Sequence, residues 1–392
     1  MPKRSVTEAE VRGKRALVRV DFNVPLRDGD VADDSRIRAA LPTIQYLLDR
    51  GAAVVLATHL GRPKGNVNPA YSVPPVARRL SELLGQPVAT VAAVAGPEAE
   101  QAAAALRPGD VLLLGNTRFD RGEETNDPEL AAGLARLGDL FVNDAFGAAH
   151  RAHASTVGVA QLLPSYAGLL LQREETALSR LLNDPERPFV AVLGGAKVSD
   201  KFAVLKHLLD RVDALLLGGG MANTMLLAQG RQIGTSLAEP DLVDEARRLL
   251  DTAEAHGVLI LTPIDAITAR SLDSTDGTVT VVDAIPDGEA IFDIGPATVA
   301  HYCEQITGAR TVFWNGPMGV FERTPFKSGT LAIARCVADA GAFTVVGGGD
   351  SLAAIDASGV AERIDHVSTG GGASLEYLEG RALPGIAALP DA

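Results

Sequence analysis

Ser368-Thr369-Gly370-Gly371-Gly372-Ala373-Ser374-Leu375 follows a short apolar run at residues 364–367 and leads into helix-forming sequence. A strand that turns over glycines into a helix is one βα unit of a parallel sheet. Glycine lets the backbone come close to a ligand. The first turn of the following helix aims free N–H groups and a positive dipole end at it, which favours phosphate. Three more apolar runs end the same way. They are Val192-Leu193-Gly194-Gly195-Ala196-Lys197-Val198-Ser199-Asp200-Lys201, Leu217-Gly218-Gly219-Gly220-Met221-Ala222-Asn223 and Val346-Gly347-Gly348-Gly349-Asp350-Ser351. One such turn is weak evidence, because tight βα packing also takes glycine. Four in one chain point to a nucleotide site at the carboxyl ends of the strands.

Outward from these turns the same alternation covers the chain. Apolar runs at residues 16–20, 53–58, 111–114 and 140–142, then at 189–193, 214–217, 259–261, 311–314 and 343–346, read as strands. Helical periodicity lies between them, as at 36–48 and 75–84. Continuous apolar runs alternating with helices predict parallel sheets covered on both faces. A chain of 392 residues exceeds one ordinary core. The expected fold is α/β, with two doubly wound parallel-sheet domains. Residues 168–183 carry Leu171, Ala177, Leu178, Leu181 and Leu182 on one face, and Asn183-Asp184-Pro185 stops the pattern. This predicts an N-terminal domain over 1–167, a connecting helix over 168–184 and a C-terminal domain from 185.

A net charge of −13 argues against a general partner among nucleic acids or anionic membranes. No uncharged apolar run reaches membrane-spanning length, and residues 1–8 lack the apolar core of a signal peptide. Cys303 and Cys336 lie in apolar segments and read as two buried free thiols, which fits a reducing, cytoplasmic compartment.

In the C-terminal half, Lys197 and Lys201 stand four apart where a helix should begin. A solvated helix face would explain them, but cations there oppose the helix dipole and an anionic ligand would offset that. Asp350 can cap its helix, contact Mg2+, or do both. Asn315 and Glu322 follow the only tryptophan, Trp314, and Glu322 can accept hydrogen bonds from ribose hydroxyls. No Gly-Lys-Ser/Thr loop, no strand-linked G-x-G-x-x-G and no histidine–arginine–aspartate catalytic loop is present, so common nucleotide fingerprints do not apply.

In the N-terminal half, predicted strands end in Asp21-Phe22-Asn23-Val24-Pro25, His59-Leu60-Gly61-Arg62-Pro63, Gly115-Asn116-Thr117-Arg118-Phe119 and Asn143-Asp144-Ala145-Phe146-Gly147, the last followed by His150, Arg151 and His153. Arg36 opens a helix. Strand ends delivering Asp21, Asn23, His59, Arg62, Arg118, His150, Arg151 and His153 to one sheet edge, with Arg36 near, make a trap for a small polyanion. For any single arginine a surface ion pair is the plainer account. The histidines lack zinc-site spacing, and no G-x-S-x-G elbow suggests a hydrolase.

Arg19-Val20-Asp21-Phe22-Asn23-Val24-Pro25 closely resembles the signature of phosphoglycerate kinases. His59-Leu60-Gly61-Arg62-Pro63, Asn143-Asp144-Ala145-Phe146-Gly147, Gly194–Lys201, Trp314-Asn315-Gly316-Pro317-Met318-Gly319 and Ser368–Ser374 match that family in order, and the resemblance spans about residues 19–385. It implies a kinase that moves a phosphoryl group between 1,3-bisphosphoglycerate with Mg-ADP and 3-phosphoglycerate with Mg-ATP, in glycolysis and gluconeogenesis. By resemblance Asp21, Asn23, Arg36, His59, Arg62, Arg118 and Arg151 contact the glycerate substrate. Lys201, Gly219, Asn315, Glu322, Gly349, Asp350 and Ser351 serve the nucleotide, with Asp350 on Mg2+. Arg36, Lys197, Gly371 and Gly372 hold the phosphoryl group in flight. The resemblance also implies hinge closure about the connecting helix, a nucleotide domain ending at 375, a tail over 376–392 that returns to the N-terminal domain, and a monomer. Gly115 stands where the family usually has glutamate, Arg381 where lysine is common, and Asn223 and Met225 near the expected adenine pocket. Rival readings are a two-domain kinase for another small acid and a non-catalytic binding protein. The arginine set speaks against the first, and Lys197, Lys201 and Asp350 against the second.

Overall fold

The structure is a computed structural model and describes residues 2–392. The chain divides into two compact units. One runs up to Thr176 and takes in Ala382–Ala392; the other is Ala177–Arg381.

The first unit is built on a six-stranded parallel sheet. Its strands are β1 (Arg15–Arg19), β4 (Ala53–Ala57), β5 (Val88–Thr90), β6 (Val111–Leu113), β7 (Leu140–Asn143) and β8 (Ser165–Ala167), in the order β5-β6-β4-β1-β7-β8. A two-stranded hairpin, β2 (Leu26–Arg27) with β3 (Asp30–Val31), sits between β1 and the helix Ser35–Asp49. β4 is buried along its whole length, as a central parallel strand should be. Val18, Val54, Leu56, Ile37, Ile44 and Leu80 join the strands and helices into one core. The order reverses beside β1, so a crevice opens at the carboxyl ends of β1 and β7.

The second unit repeats the plan. β9 (Phe189–Leu193), β10 (Ala214–Leu217), β11 (Leu259–Leu261), β15 (Thr311–Asn315), β16 (Phe343–Gly347) and β17 (His366–Val367) pair in the order β11-β10-β9-β15-β16-β17. All these pairs are parallel. The reversal falls between β9 and β15. A separate antiparallel sheet, β12 (Asp265–Ala269), β13 (Thr278–Val281) and β14 (Ala290–Ile294), was not foreseen from the sequence.

The helix expected over 168–184 is Leu169–Asn183, and the boundary between the units falls inside it. Its first turn is capped from the first unit: Asp144 Oδ1 accepts from the N–H groups of Leu170 (2.9 Å) and Leu171 (3.3 Å). The return of the chain begins later than the expected residue 376. The helix Gly372–Leu378 stays with the second unit, where the Tyr377 hydroxyl meets Ser179 Oγ at 2.6 Å. Gly380 lies so close to the His207 ring that a Cβ there would be 2.6 Å from it. Only after Arg381 does the chain join the first unit. There Asn143 Nδ2 donates to Gly385 O at 2.9 Å, and Lys3 pairs with Asp391.

The cysteines correct the sequence reading. Cys303 and Cys336 form a disulfide between the helices Pro296–Gly308 and Ser328–Ala338, with Cα atoms 5.5 Å apart. Those helices pack against each other, and a separation of 33 residues in sequence carries no sign of it. The step from free thiols to a reducing compartment loses its basis. Among the described residues no helix is long and apolar enough to cross a membrane.

Candidate active site

In the first unit the site is assembled where β1, β4, β6 and β7 end. Asp21 Oδ2 accepts from Arg36 NH1 at 3.1 Å, and the same nitrogen donates to Asn23 O at 3.3 Å. Asn23 Oδ1 accepts the Gly61 N–H at 2.8 Å, which ties the β1 and β4 loops together. Arg118, in the single turn Thr117–Phe119 that follows β6, closes the same side by donating from NH1 to Gly61 O at 2.8 Å. His59 is buried, its Nδ1 3.9 Å from Asp21 Oδ1. Burial pushes its imidazole well below the usual histidine value; Asp21 opposes this, while Arg19, Arg118 and Arg36 reinforce it. Arg62 and Arg151 are exposed. Arg151 Nε donates to His150 Nε2 at 3.1 Å, and its charge acts on Arg118. Asp21, Asn23, Arg36, His59 and Arg118 are thus brought together directly, whereas Arg62 hydrogen-bonds to none of them. His153 is buried 3.8 Å from Glu123, and burial lowers its pKa to about 4, so it serves the interior.

In the second unit β9 and β15 meet at the reversal point through glycine. A Cβ on Gly194 would lie 2.0 Å from Pro317 O, and one on Gly316 would lie 2.2 Å from Gly194 O. Lys201 reaches into this junction, where Nζ donates to Gly194 O (2.5 Å) and Asn315 O (3.0 Å). Its pKa is lowered to about 8 by burial, against the pull of Asp350 and Asp200. The helix begins at Phe202, so Lys197 is not in a first helical turn as the spacing predicts. Ser199 binds Glu239 through both N–H (2.9 Å) and Oγ (2.6 Å), which holds the connecting segment 197–200, with Val198 buried and Lys197, Ser199 and Asp200 exposed.

Beside that junction lies a cavity of about 380 Å³. Gly195, Ala196, Gly219 and Gly220 form one wall; Met318, Leu237, Leu272, Ile291 and Phe292 give it an apolar lining; Glu322 and Asp350 stand among the remaining lining residues. Of the expected nucleotide residues, Gly219, Glu322 and Asp350 line this cavity. Asn315, Lys201 and Ser351 are not among its lining residues. Asn315 Nδ2 donates to Gly347 O at 2.9 Å, and Ser351 Oγ accepts the Gly316 N–H at 2.6 Å, so both shape the turn that forms the cavity edge. Gly349 opens the helix Gly349–Ser358, exposed, with Asp350 next to it. Gly371 adopts φ +55° and a Cβ on it or on Gly372 would meet open space, as an approach to a ligand requires. The apolar residues Leu237, Leu272, Ile291 and Phe292 escaped the sequence reading. They come from two separate loops and the antiparallel sheet, and no spacing in the chain announces them.

A sheet-reversal crevice rich in arginine, and a second one with a glycine-edged flat apolar cavity, suit a small polyanion and a nucleotide respectively. The comparisons agree. The family model described as phosphoglycerate kinase matches residues 6–381. A phosphoglycerate kinase of Chloroflexus aurantiacus is 58% identical over 400 residues, covering 100% of both chains. The solved phosphoglycerate kinase of Coxiella burnetii superposes with a TM-score of 0.89 at 44% identity, covering 99% of this chain and 98% of that one. The enzyme of Pyrococcus horikoshii does so with a TM-score of 0.88 at 36% identity, covering 98% of each. From crevice geometry and full-length similarity together, the chain belongs to the phosphoglycerate kinase family.

Proposed function

We propose that this chain catalyses reversible phosphoryl transfer between 1,3-bisphosphoglycerate with Mg-ADP and 3-phosphoglycerate with Mg-ATP. The observation that carries this reading is the pairing of Asp21, Arg36 and Arg118 at the reversal of one sheet with a glycine-edged 380 Å³ cavity at the reversal of the other. In the ATP-consuming direction the acceptor is a carboxylate, ionised at neutral pH, so no general base is needed. The work left to the protein is alignment and charge neutralisation. In this reading Asp21, Asn23, His59 and Arg62 hold the glycerate hydroxyl and carboxylate, with Arg118 and Arg151 on its phosphate. Gly219 and Glu322 flank the base and ribose, and Gly349 with Ser351 presents backbone to the phosphates. Arg36, Lys197 and the amides of Gly371 and Gly372 neutralise the group in transfer. Because these residues belong to different units, we infer closure about the helix Leu169–Asn183 during turnover. A monomer working in the cytoplasm is part of the same reading.

Mg2+ fits the donor set. It is commonly held by one or two carboxylates plus substrate phosphates rather than by a protein cage. Asp350 supplies one exposed carboxylate at the cavity, and among the described residues no group of three His, Cys, Asp or Glu side chains forms a cage. Bound there with nucleotide, the ion would supply charge neutralisation at the phosphates.

The test is ADP release from Mg-ATP with the acyl phosphate removed as it forms. Turnover that requires 3-phosphoglycerate is expected. Folded protein that binds Mg-ADP yet gives no turnover with 3-phosphoglycerate would end the reading in favour of a binding protein.

Lys201 makes a pH prediction. With no anion beside it, it loses its proton near pH 8. A bound phosphate favours the ammonium and raises that pKa. Binding therefore takes up a proton, and affinity falls as pH rises through 8. Calorimetry of Mg-ADP binding at pH 8 in two buffers of different ionisation enthalpy should show uptake of about half a proton per site. Uptake of none, or release, would place Lys201 away from the phosphates.

A further inference from the structure

Arg19 is the last residue of β1, it is wholly buried, and the proposed reaction does not use it. Its guanidinium is held on three sides. Nε donates to Ser155 Oγ at 2.7 Å and NH1 to Val20 O at 2.5 Å. NH2 stands 3.8 Å from Glu123 Oε1 and 3.2 Å from His59 Nδ1. Glu123 is also wholly buried, and it is fixed in turn by Ser155, whose Oγ donates to Oε1 at 2.6 Å and whose N–H donates to Oε2 at 3.0 Å. A buried arginine with a buried carboxylate this close is an arrangement that a simple apolar core would replace without loss of stability. Its presence directly beneath a ligand-facing histidine calls for a role.

The chemistry of the contact defines one. A guanidinium has donors only. A ring nitrogen facing it at 3.2 Å makes a hydrogen bond only by accepting, which requires His59 Nδ1 to be free of its proton. The neutral ring then has its proton on Nε2. The groups facing this imidazole from other elements are Arg36 and Arg118, which disfavour a second proton, and Asp21, whose Oδ1 is 3.9 Å from the same Nδ1. We propose that Arg19, clamped by Glu123 through Ser155, is a positioning residue that fixes His59 as the neutral Nε2–H tautomer, a ready hydrogen-bond donor to an anionic oxygen of the glycerate substrate. This rests on the reading that His59 faces that substrate. Arg19 itself touches no ligand. The arrangement follows the rule that the hydrogen bond made by one ring nitrogen sets the state of the other.

The test uses the full chain labelled with 15N-histidine. A long-range 1H–15N spectrum distinguishes protonated from bare ring nitrogens, and His59→Gln identifies the His59 signals among the seven histidines. The wild-type spectrum is expected to show Nδ1 bare and Nε2 protonated. Arg19→Met with Glu123→Gln removes both buried charges together, and should let the tautomers mix. The same double variant should raise KM for 3-phosphoglycerate by about tenfold, with kcat and the KM for Mg-ATP unchanged. If it does not fold, Ser155→Ala, which removes only the hydroxyl joining the pair, serves the same comparison. A protonated Nδ1 in the wild type overturns the proposal. So does an unchanged tautomer, or a loss of kcat with KM unmoved, in the variant. Absence of any turnover by the wild type with 3-phosphoglycerate would instead sink the functional reading, and the spectra would still decide the tautomer.

Discussion

Lys197→Ala is expected to lower kcat by roughly 10³-fold, with the thermal midpoint almost unchanged. Lys197 is exposed on the turn that follows β9, five positions before the helix that begins at Phe202. Its charge acts on the Glu239 carboxylate. Nothing in the fold leans on it, and exposed substitutions of this kind usually change stability by about half a kcal/mol or less. A cation placed for the transferring phosphoryl group acts only as charge redistributes there. Its loss should therefore fall on kcat, and the KM for each substrate should change little. Lys201→Ala makes the contrast. Its ammonium bonds two backbone carbonyls inside the junction, so its removal should lower the melting temperature and weaken nucleotide binding together. Steady-state kinetics at saturating Mg-ATP and 3-phosphoglycerate, beside a melting curve, separate the two. A Lys197→Ala enzyme within tenfold of wild-type kcat would remove Lys197 from the transfer site.

Most of the sheet framework was readable because parallel strands covered on both faces are continuous apolar runs. β9, β10 and β11 begin and end where the apolar runs at 189–193, 214–217 and 259–261 do. β8 was missed because it is three residues long and starts with a serine whose hydroxyl finds Ala160 O and Leu163 O inside the fold. The antiparallel sheet was missed for a different reason. β13 reads Thr-Val-Thr-Val and is mostly exposed, β12 starts at an aspartate and shifts register at Ile267/Thr268, and β14 carries the buried Asp293. No continuous apolar signal survives in such strands.

The site divides along the same line. Charged residues at strand ends were legible, since the topology of an open α/β sheet dictates that its carboxyl edge meets the ligand. Which of them turn inward was not. Asn315 and Ser351 read like ligand contacts, yet their side chains hold Gly347 O and Gly316 N–H. Arg19 read as part of a signature, yet it lies beneath the surface on Ser155. These outcomes depend on packing between segments far apart in the chain, and periodicity has no access to that. The disulfide and the apolar cavity lining from Leu237, Leu272, Ile291 and Phe292 are of the same kind.

Gly316→Ala should destabilise the nucleotide unit by about 3 kcal/mol and raise the KM for Mg-ATP at least tenfold, with the KM for 3-phosphoglycerate spared. Gly316 sits at φ +92°, in the region that side chains other than glycine avoid, at roughly 1–2 kcal/mol. A methyl there would also lie 2.2 Å from Gly194 O and 2.5 Å from Lys201 Nζ. The first of these is backbone of the central strand pair, so relief must come from moving the turn. That turn is held by Gly316 N–H on Ser351 and by Trp314 Nε1 on Gly316 O at 2.8 Å. Pro317, Met318 and Gly319, the next three residues, line the cavity. Shifting them spoils the flat surface and moves the Lys201 ammonium away from its carbonyls. A loss of about 3 kcal/mol corresponds to a fall of roughly 6–12 °C in the melting midpoint for a unit of this size. Trp314 is the only tryptophan and is fully buried, so its emission reports on this junction alone. In the variant its melting transition should move down by that amount, and calorimetry should show weakened Mg-ADP binding. Wild-type melting and affinity in Gly316→Ala would mean that the contact between the β9 and β15 turns does not shape the nucleotide site.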